Sequence, residues 1–115
     1  MTKKYDLDSR LEDYAAAIII LYDKPPKTYA SDYLAKQLIR STCSSALNFG
    51  EAMGAGSTKD KANKLRICLK ELRESLRNLN IQNKAKLYTE SELFPLIKEN
   101  DELIRIIVTL LKNLI

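Results

Sequence analysis

Lysine and arginine residues are concentrated in one stretch of this chain, and they are its residues best suited to bind a ligand. Residues 57–86 contain nine basic and three acidic side chains, a formal charge of +6, in a chain whose total is +4. The remainder therefore carries −2. Such a cationic segment attracts phosphate backbones, because bound Lys and Arg release the counterions condensed on a nucleic acid. The charge distribution indicates RNA or DNA as a partner.

Five of these basic residues share one face of a predicted helix, within about 60° of one another at about 100° per residue. We call them the basic strip: Lys59, Arg66, Lys70, Arg73 and Arg77. Phosphate binding and ordinary solvation are both open for this face, since Asp60 with Lys64 and Lys70 with Glu74 have the i, i+4 spacing of surface ion pairs. No aromatic residue is interleaved with the strip, which disfavours stacking of single-stranded bases.

Catalytic and metal-binding chemistry has little support, because the chain contains no histidine. That absence excludes Cys-His and Ser-His nucleophile pairs and the common zinc sites built from Cys and His. The two cysteines, Cys43 and Cys68, fall within apolar helical patterns. Reduced packing residues are the favoured interpretation, and a disulfide or a reactive thiol is the alternative. We expect no enzymatic activity, no catalytic residues, no cofactor and no metal.

Long helices must position the basic strip. With 45% hydrophobic and 30% charged residues but only 3 Gly and 3 Pro, the chain is too apolar for disorder and too poor in turn residues for many strands. Capping boxes are predicted at Ser9 with Glu12 and at Thr89 with Glu92, and Pro25 and its neighbour Pro26 end the first helix. The predicted helices cover about 10–23, 31–53, 57–82 and the residues from 89 onward.

The third predicted helix has the clearest apolar pattern. Its apolar residues recur at steps of three and four: Ala62, Leu65, Leu69, Leu72, Leu76 and Leu79. This heptad seam is typical of helices that pack at about 20°. The small residues of Ser41–Ala46 would let a neighbouring backbone approach the second helix closely. Because the links are short, we predict an all-α, antiparallel up-down-up-down four-helix bundle, with residues 1–115 as a single domain.

The apolar segments are too short to cross a membrane. The longest, Tyr14–Tyr22, has nine residues, against about 20 for a bilayer. Charged residues precede this segment and no small-residue cleavage site follows it, which disfavours a secretory signal. We expect no membrane association and a cytoplasmic location.

Two helices have more apolar surface than a single bundle can cover. The first is apolar on every side over two turns around Ile18, Ile19 and Ile20. The fourth is apolar over an arc of roughly 200° that includes Ile106 and Val108. A second subunit is the simplest cover for such surfaces. We therefore predict a homo-oligomer with these five residues as candidate interface residues.

Two sequence patterns made mainly of polar residues lie in the second and third predicted helices. The first comprises Gln37, Leu38, Arg40, Ser44, Asn48 and Glu51. The second comprises Ser57, Lys59 and Asp60, followed by Leu69, Lys70, Glu71, Arg73 and Glu74. With these patterns, residues 29–81 resemble the central segment of the 23S ribosomal RNA intervening-sequence family of four-helix-bundle proteins. The chain departs from that family at Ile39, where many relatives have arginine, and at Ala46, where they have Gly or Pro.

The resemblance implies a ring-like homopentamer, the assembly that family members form. A related branch contains accessory proteins of diversity-generating retroelements that bind nucleic acid and a reverse transcriptase. The resemblance also singles out Arg40, Ser44, Asn48 and Glu51, as ligand contacts or as hydrogen bonds between helices or subunits. Two hypotheses follow: an oligomer that binds RNA or DNA through the basic strip, and a structural or adaptor module that binds a protein partner.

Overall fold

A computed structural model describes residues 6–24 and 28–114 of the chain. They form four helices: α1 Leu7–Leu21, α2 Tyr29–Met53, α3 Thr58–Lys84 and α4 Glu90–Leu114. Each helix packs against its neighbours along the chain, and α1 also packs against α4. Within those residues the backbones of the diagonal pairs α1/α3 and α2/α4 do not approach each other closely. The predicted all-α four-helix bundle is confirmed, whereas Pro25 and Pro26 lie outside the described residues.

Neighbouring helices run in opposite directions. The polar contacts between α2 and α3 include Leu34 with Asn78, Ser41 with Ser75, Ser44 with Glu71, and Glu51 with Lys64. Rising residue numbers on α2 therefore meet falling numbers on α3. This register places the N-terminal turns of α2 beside the C-terminal half of α3.

Side-chain caps begin the helices, with one difference from the predicted positions. The Thr89 capping box is confirmed, since the Thr89 N–H donates to Glu92 Oε1 at 2.9 Å and the Glu92 N–H donates to Thr89 Oγ1 at 3.2 Å. The box predicted at Ser9 and Glu12 is wrong. Asp6 caps α1 instead, accepting from the Ser9 N–H at 3.1 Å, so the helix begins earlier. The carboxylate is a charged acceptor at the positive end of the helix dipole.

The heptad residues of α3 face the interior as predicted. Five of the six are buried and Leu76 is half-buried. The small residues of α2 also have their predicted role: Ser41 and Ser45 are fully buried, and Ser41 Oγ lies 2.6 Å from Ser75 Oγ on α3. Close approach of these two backbones holds α3, and the strip on its outer face, firmly against α2.

Two chains of polar side chains cross the core, and the sequence patterns did not predict them. In the first, the Tyr14 hydroxyl donates to Asn100 Oδ1 at 2.6 Å, and Asn100 Nδ2 donates to the Leu72 carbonyl at 2.8 Å. Burial raises the pKa of Tyr14 well above its ordinary value. These bonds join α1, α4 and α3.

The second chain joins α1, α3 and α2. The Tyr22 hydroxyl donates to Gln82 Oε1 at 2.6 Å, and Gln82 Nε2 donates to Asn78 Oδ1 at 2.7 Å. Asn78 Nδ2 in turn donates to the Leu34 carbonyl of α2 at 3.0 Å. Every member is satisfied, so the network fixes the register of the bundle without leaving a buried polar atom unpaired.

Candidate nucleic-acid interface

The basic strip lies on the outer face of α3. Its five side chains, Lys59, Arg66, Lys70, Arg73 and Arg77, are all exposed. Arg66 donates to the neutral amide oxygen of Asn63 at 3.2 Å. Within residues 6–24 and 28–114, no strip residue forms an ion pair with a carboxylate. The strip is therefore a row of positive charges on one helix that form no ion pair with a carboxylate of the described chain.

Two of the three acidic residues of α3, Glu71 and Glu74, are paired with α2 instead. Arg40 forms ion pairs with Glu74 and, at 3.4 Å, with Glu71. Lys64, half-buried, pairs with Glu51 at 2.6 Å, although Asp60 also attracts it more weakly. Glu74, the i, i+4 partner proposed for Lys70, is thus engaged across the α2–α3 seam, and Lys64 pairs with Glu51 of α2 in addition to its weaker attraction to Asp60. The interpretation of the strip as a face of paired surface charges loses its main support.

The four polar residues of the family pattern form that seam. Ser44 Oγ donates to Glu71 Oε2 at 2.9 Å, and Asn48 Nδ2 donates to the Ser44 carbonyl at 2.9 Å. Arg40 contacts Glu71 and Glu74, and the hydrogen bond that it donates to Glu74 is the main reason that its pKa is raised. Glu51 holds Lys64. Each of the four is engaged in hydrogen bonds that join or rigidify α2 and α3, as in the structural alternative offered for them.

A groove beside the strip contains an aromatic residue that sequence spacing did not reveal. The groove has a volume of about 430 Å³ and lies between the start of α2 and the end of α3. Tyr33 and Gln37 line it from α2, facing Arg73, Arg77 and Ile81 of α3. Tyr33 is 51% exposed and Ile81 is 48% exposed. The antiparallel register brings these residues together although about forty positions separate them in the sequence.

Tyr33 does not stand alone on this surface. Its ring stacks on that of Tyr29, one turn earlier on α2, with centroids 6.3 Å apart and planes inclined by 19°. Tyr29 is 83% exposed. Tyr33 lines the groove with Arg73 and Arg77, and Tyr29 extends its stack along α2, so an aromatic residue lies beside the strip although none is interleaved with it in the sequence.

The five candidate interface residues are divided among three environments. Ile18 is fully buried within the subunit, so its proposed role at a subunit interface is corrected to a core role. Ile19 and Ile20 are exposed near the end of α1, while Ile106 and Val108 are half-buried on α4. The isoleucine pair on α1 and the pair on α4 lie near opposite ends of the antiparallel α1–α4 pair, roughly 20 Å apart along it.

Ile106 lines a second, apolar groove. Its walls come from all four helices and include Leu7, Phe49, Met53 and Leu110. Met53 is 47% exposed, which leaves thioether surface open to solvent. The groove offers mainly van der Waals contact, although Asp6, Asp8, Lys61 and Asn113 also line it.

The remaining chemistry of the described chain is limited. Cys68 is fully buried and Cys43 half-buried, and both are free thiols. Desolvation raises the pKa of Cys68 to about 12. The described residues contain no cluster of acidic, Cys or His side chains that could hold a metal ion. Among those same residues, no helix is long and apolar enough to cross a membrane.

Comparison with known proteins places this geometry in a family. A family model described as 23S rRNA-intervening sequence protein matches residues 3–109. A crystal structure of a protein with unknown function from the S23 ribosomal protein family of Bacteroides thetaiotaomicron superposes with a TM-score of 0.86. The two sequences are 25% identical, and the alignment covers 96% of this chain and 99% of that one. No curated protein matches the sequence.

Proposed function

The chain belongs to the family of 23S rRNA-intervening sequence proteins, and from that premise we propose that it is a non-enzymatic, oligomeric protein that binds nucleic acid through the basic strip. The strip would contact backbone phosphates, with little preference for sequence. The α2–α3 seam holds the strip in place but does not itself contact the ligand.

One observation carries this proposal: the strip cations form no ion pair with a carboxylate in the described chain, while Glu71 and Glu74 of α3 are engaged with Arg40 of α2. Cations on a surface usually lie near compensating acids, and such a compensated face gains little from meeting a polyanion. An uncompensated row releases the counterions of each phosphate that it meets, which favours binding. Several strips on one oligomer would add avidity.

Fluorescence anisotropy with labelled RNA and DNA tests the proposal. The variant replaces Arg66, Lys70, Arg73 and Arg77 by Gln, which has nearly their helix propensity. We expect binding by the wild type at low salt and its loss in the variant. An absence of wild-type binding at low salt, or undiminished binding by the variant, would refute the strip as the site.

A matched control separates the strip from overall charge. Replacement of Lys24, Lys36, Arg105 and Lys112 by Gln removes the same four charges from other exposed positions. Either quadruple change takes the formal net charge from +4 to zero. If the strip is the site, the control retains most of its affinity and the strip variant does not. Equal losses would assign binding to net charge alone.

We also propose that the subunit assembles into a homo-oligomer, a pentamer by family resemblance. Exposed Ile19 and Ile20 on α1 support this, with 48% and 71% of their surfaces open to solvent. Ile106 and Val108 on α4 remain candidates for the same assembly. Light scattering checks it: a stable species of 13.1 kDa at micromolar concentration would contradict assembly.

The second candidate function is an adaptor that binds a protein partner, and the apolar groove lined by Phe49, Met53 and Ile106 favours it. Salt distinguishes the two functions. Phosphate binding weakens steeply as ionic strength rises, whereas an apolar protein interface changes little. Cytoplasmic location is part of both proposals.

A further inference from the structure

We infer that the groove between the start of α2 and the end of α3 takes unpaired bases, so that the preferred ligand of the basic strip is single-stranded RNA. The inference rests on the proposed function, because the strip must supply the phosphate contacts. It adds a class of ligand and a second set of residues: Tyr29, Tyr33, Gln37 and Ile81.

The tyrosine pair provides the first argument. Tyr29 and Tyr33 are exposed, yet their rings are already stacked and inclined by only 19°. A base could continue this stack without any rearrangement of the helix that carries it. Stacking on aromatic side chains is the usual way in which proteins hold unpaired bases, and it is closed to bases already stacked in a duplex.

The position of the cations provides the second argument. Arg73 and Arg77 line the same groove as Tyr33. A single nucleotide strand in this groove can therefore contact the arginines through its phosphates and the tyrosine ring through a base. Glu74 also lines the groove and shares Arg40 with Glu71, but the two positive charges of Arg73 and Arg77 outweigh its single negative charge. The groove therefore combines an aromatic wall with a net positive wall.

Gln37 provides the third argument. Its amide lines the groove and makes no hydrogen bond to any residue in the described ranges, whereas the neighbouring Asn78 is fully engaged with Leu34 and Gln82. A free amide can both donate to and accept from a base edge or a ribose 2′-hydroxyl. Ile81 completes the groove with an exposed apolar surface suited to a base face.

The test compares three labelled probes of one sequence: an unstructured 12-nucleotide RNA, its RNA duplex and the corresponding single-stranded DNA. We expect the single-stranded RNA to bind most tightly by anisotropy. Replacing Tyr33 by Leu keeps an apolar side chain but removes the ring, and should weaken single-strand binding by roughly tenfold. Tyr33→Phe keeps the ring and should retain that affinity. Duplex binding should be the same in all three proteins.

A second readout does not depend on affinity. The chain has six tyrosines and no tryptophan, so tyrosine emission can be followed directly. Stacked bases should quench part of that emission, and Tyr33→Leu should reduce the quenching at saturation. Since Tyr33 is half exposed and outside the core, we expect an unchanged circular dichroism spectrum and melting temperature for the variant.

Failure of this inference can be told apart from failure of the proposed function. Duplex RNA bound as tightly as the single strand, or Tyr33→Leu without effect, would overturn base stacking while strip-dependent binding persisted. Equal affinity for single-stranded DNA would overturn the assignment to RNA. No binding of any probe at low salt would overturn both the groove and the strip.

Discussion

The hydroxyl of Tyr22, the residue that caps the end of α1, lies 2.6 Å from Oε1 of Gln82 on α3, although the backbones of these two helices occupy diagonal corners of the bundle. The bond spans the core and is continued by Asn78 to the backbone of α2. Gln82 is fully buried. Its amide oxygen therefore depends on Tyr22 to replace the water that it loses on folding.

The first prediction concerns this bond. Tyr22→Phe removes the hydroxyl and leaves a buried acceptor unpaired, which should lower the free energy of unfolding by about 1–3 kcal/mol. Urea denaturation at one fixed protein concentration measures the loss. Tyr88→Phe is the matched control, because the Tyr88 hydroxyl makes no hydrogen bond to the described residues although its ring contacts Tyr22. Equal losses in the two variants would refute a role for the hydroxyl.

The second prediction concerns alkaline pH. Burial raises the pKa of the Cys68 thiol from 9.0 to about 12, so between those values the folded chain holds a proton that the unfolded chain has lost. Stability is therefore complete below pH 9 and falls as pH rises through the window. One such group contributes a slope of about 1.4 kcal/mol per pH unit.

Cys68→Ala isolates the thiol. Below pH 10.0, the ordinary pKa of tyrosine, the buried Tyr22 contributes little to the pH dependence of stability. Above that pH, its raised pKa of about 12 adds a second slope to the plot of stability against pH. Because the unfolded thiol is only half ionised at pH 9, urea denaturation between pH 9 and 10 should give a slope about 1 kcal/mol per unit shallower in Cys68→Ala than in the wild type. An unchanged slope would show that the thiol does not govern this window.

Sequence periodicity predicted the parts of this fold that repeat. The heptad seam of α3 and the small residues of α2 determine which faces pack, and both predictions are confirmed. The sequence wrongly predicts Ile18 at a subunit interface, because consecutive isoleucines do not show which face of the helix is buried in the core. The buried positions of Asn100 and Gln82 could not be predicted, because a polar side chain is normally assigned to the surface unless its partner on another helix is known.

For a similar reason, the sequence predicted the basic strip of the site but not the groove beside it. The strip lies on one helix, so spacing alone identifies it. Tyr33 and Arg77 become neighbours through the antiparallel register of two helices. That register depends on contacts such as Ser41 with Ser75, and one-helix patterns carry no information about it. The same limit applied to Arg40, whose partners are on α3.

The third prediction concerns the end of α3. Lys86 has φ of 58°, in the left-handed region that favours glycine, and the Leu87 N–H donates to the Gln82 carbonyl at 3.1 Å in a Schellman-type termination. Lys86→Gly should stabilise the protein by about 0.5–1 kcal/mol, because a side chain is disfavoured in this conformation. Ala85→Gly, one position earlier at φ −79°, should not stabilise. Thermal denaturation compares them, and equal shifts would contradict the conformational argument.

The fourth prediction distinguishes a core residue of α1 from a candidate interface residue on the same helix. Ile18→Ala should lower the free energy of unfolding by about 2–5 kcal/mol while leaving the oligomer mass unchanged. Ile20→Glu should instead dissociate the oligomer, because an unpaired carboxylate is costly in an apolar interface. Light scattering and circular dichroism distinguish the two effects. Wild-type mass for Ile20→Glu would place Ile20 outside the interface.

The last prediction concerns salt. Each phosphate contact to a single strand contributes about 0.7 to the slope of log affinity against log salt concentration. Arg77→Gln should therefore reduce the magnitude of that slope by about 0.7 for a 12-nucleotide RNA, and the quadruple strip variant should reduce it by about three. Anisotropy titrations between about 50 and 200 mM salt measure the slopes. The control that replaces Lys24, Lys36, Arg105 and Lys112 should keep the wild-type slope. If the slope of the control is reduced as much as that of the strip variant, phosphate binding depends on the net charge of the protein and not on the face of α3.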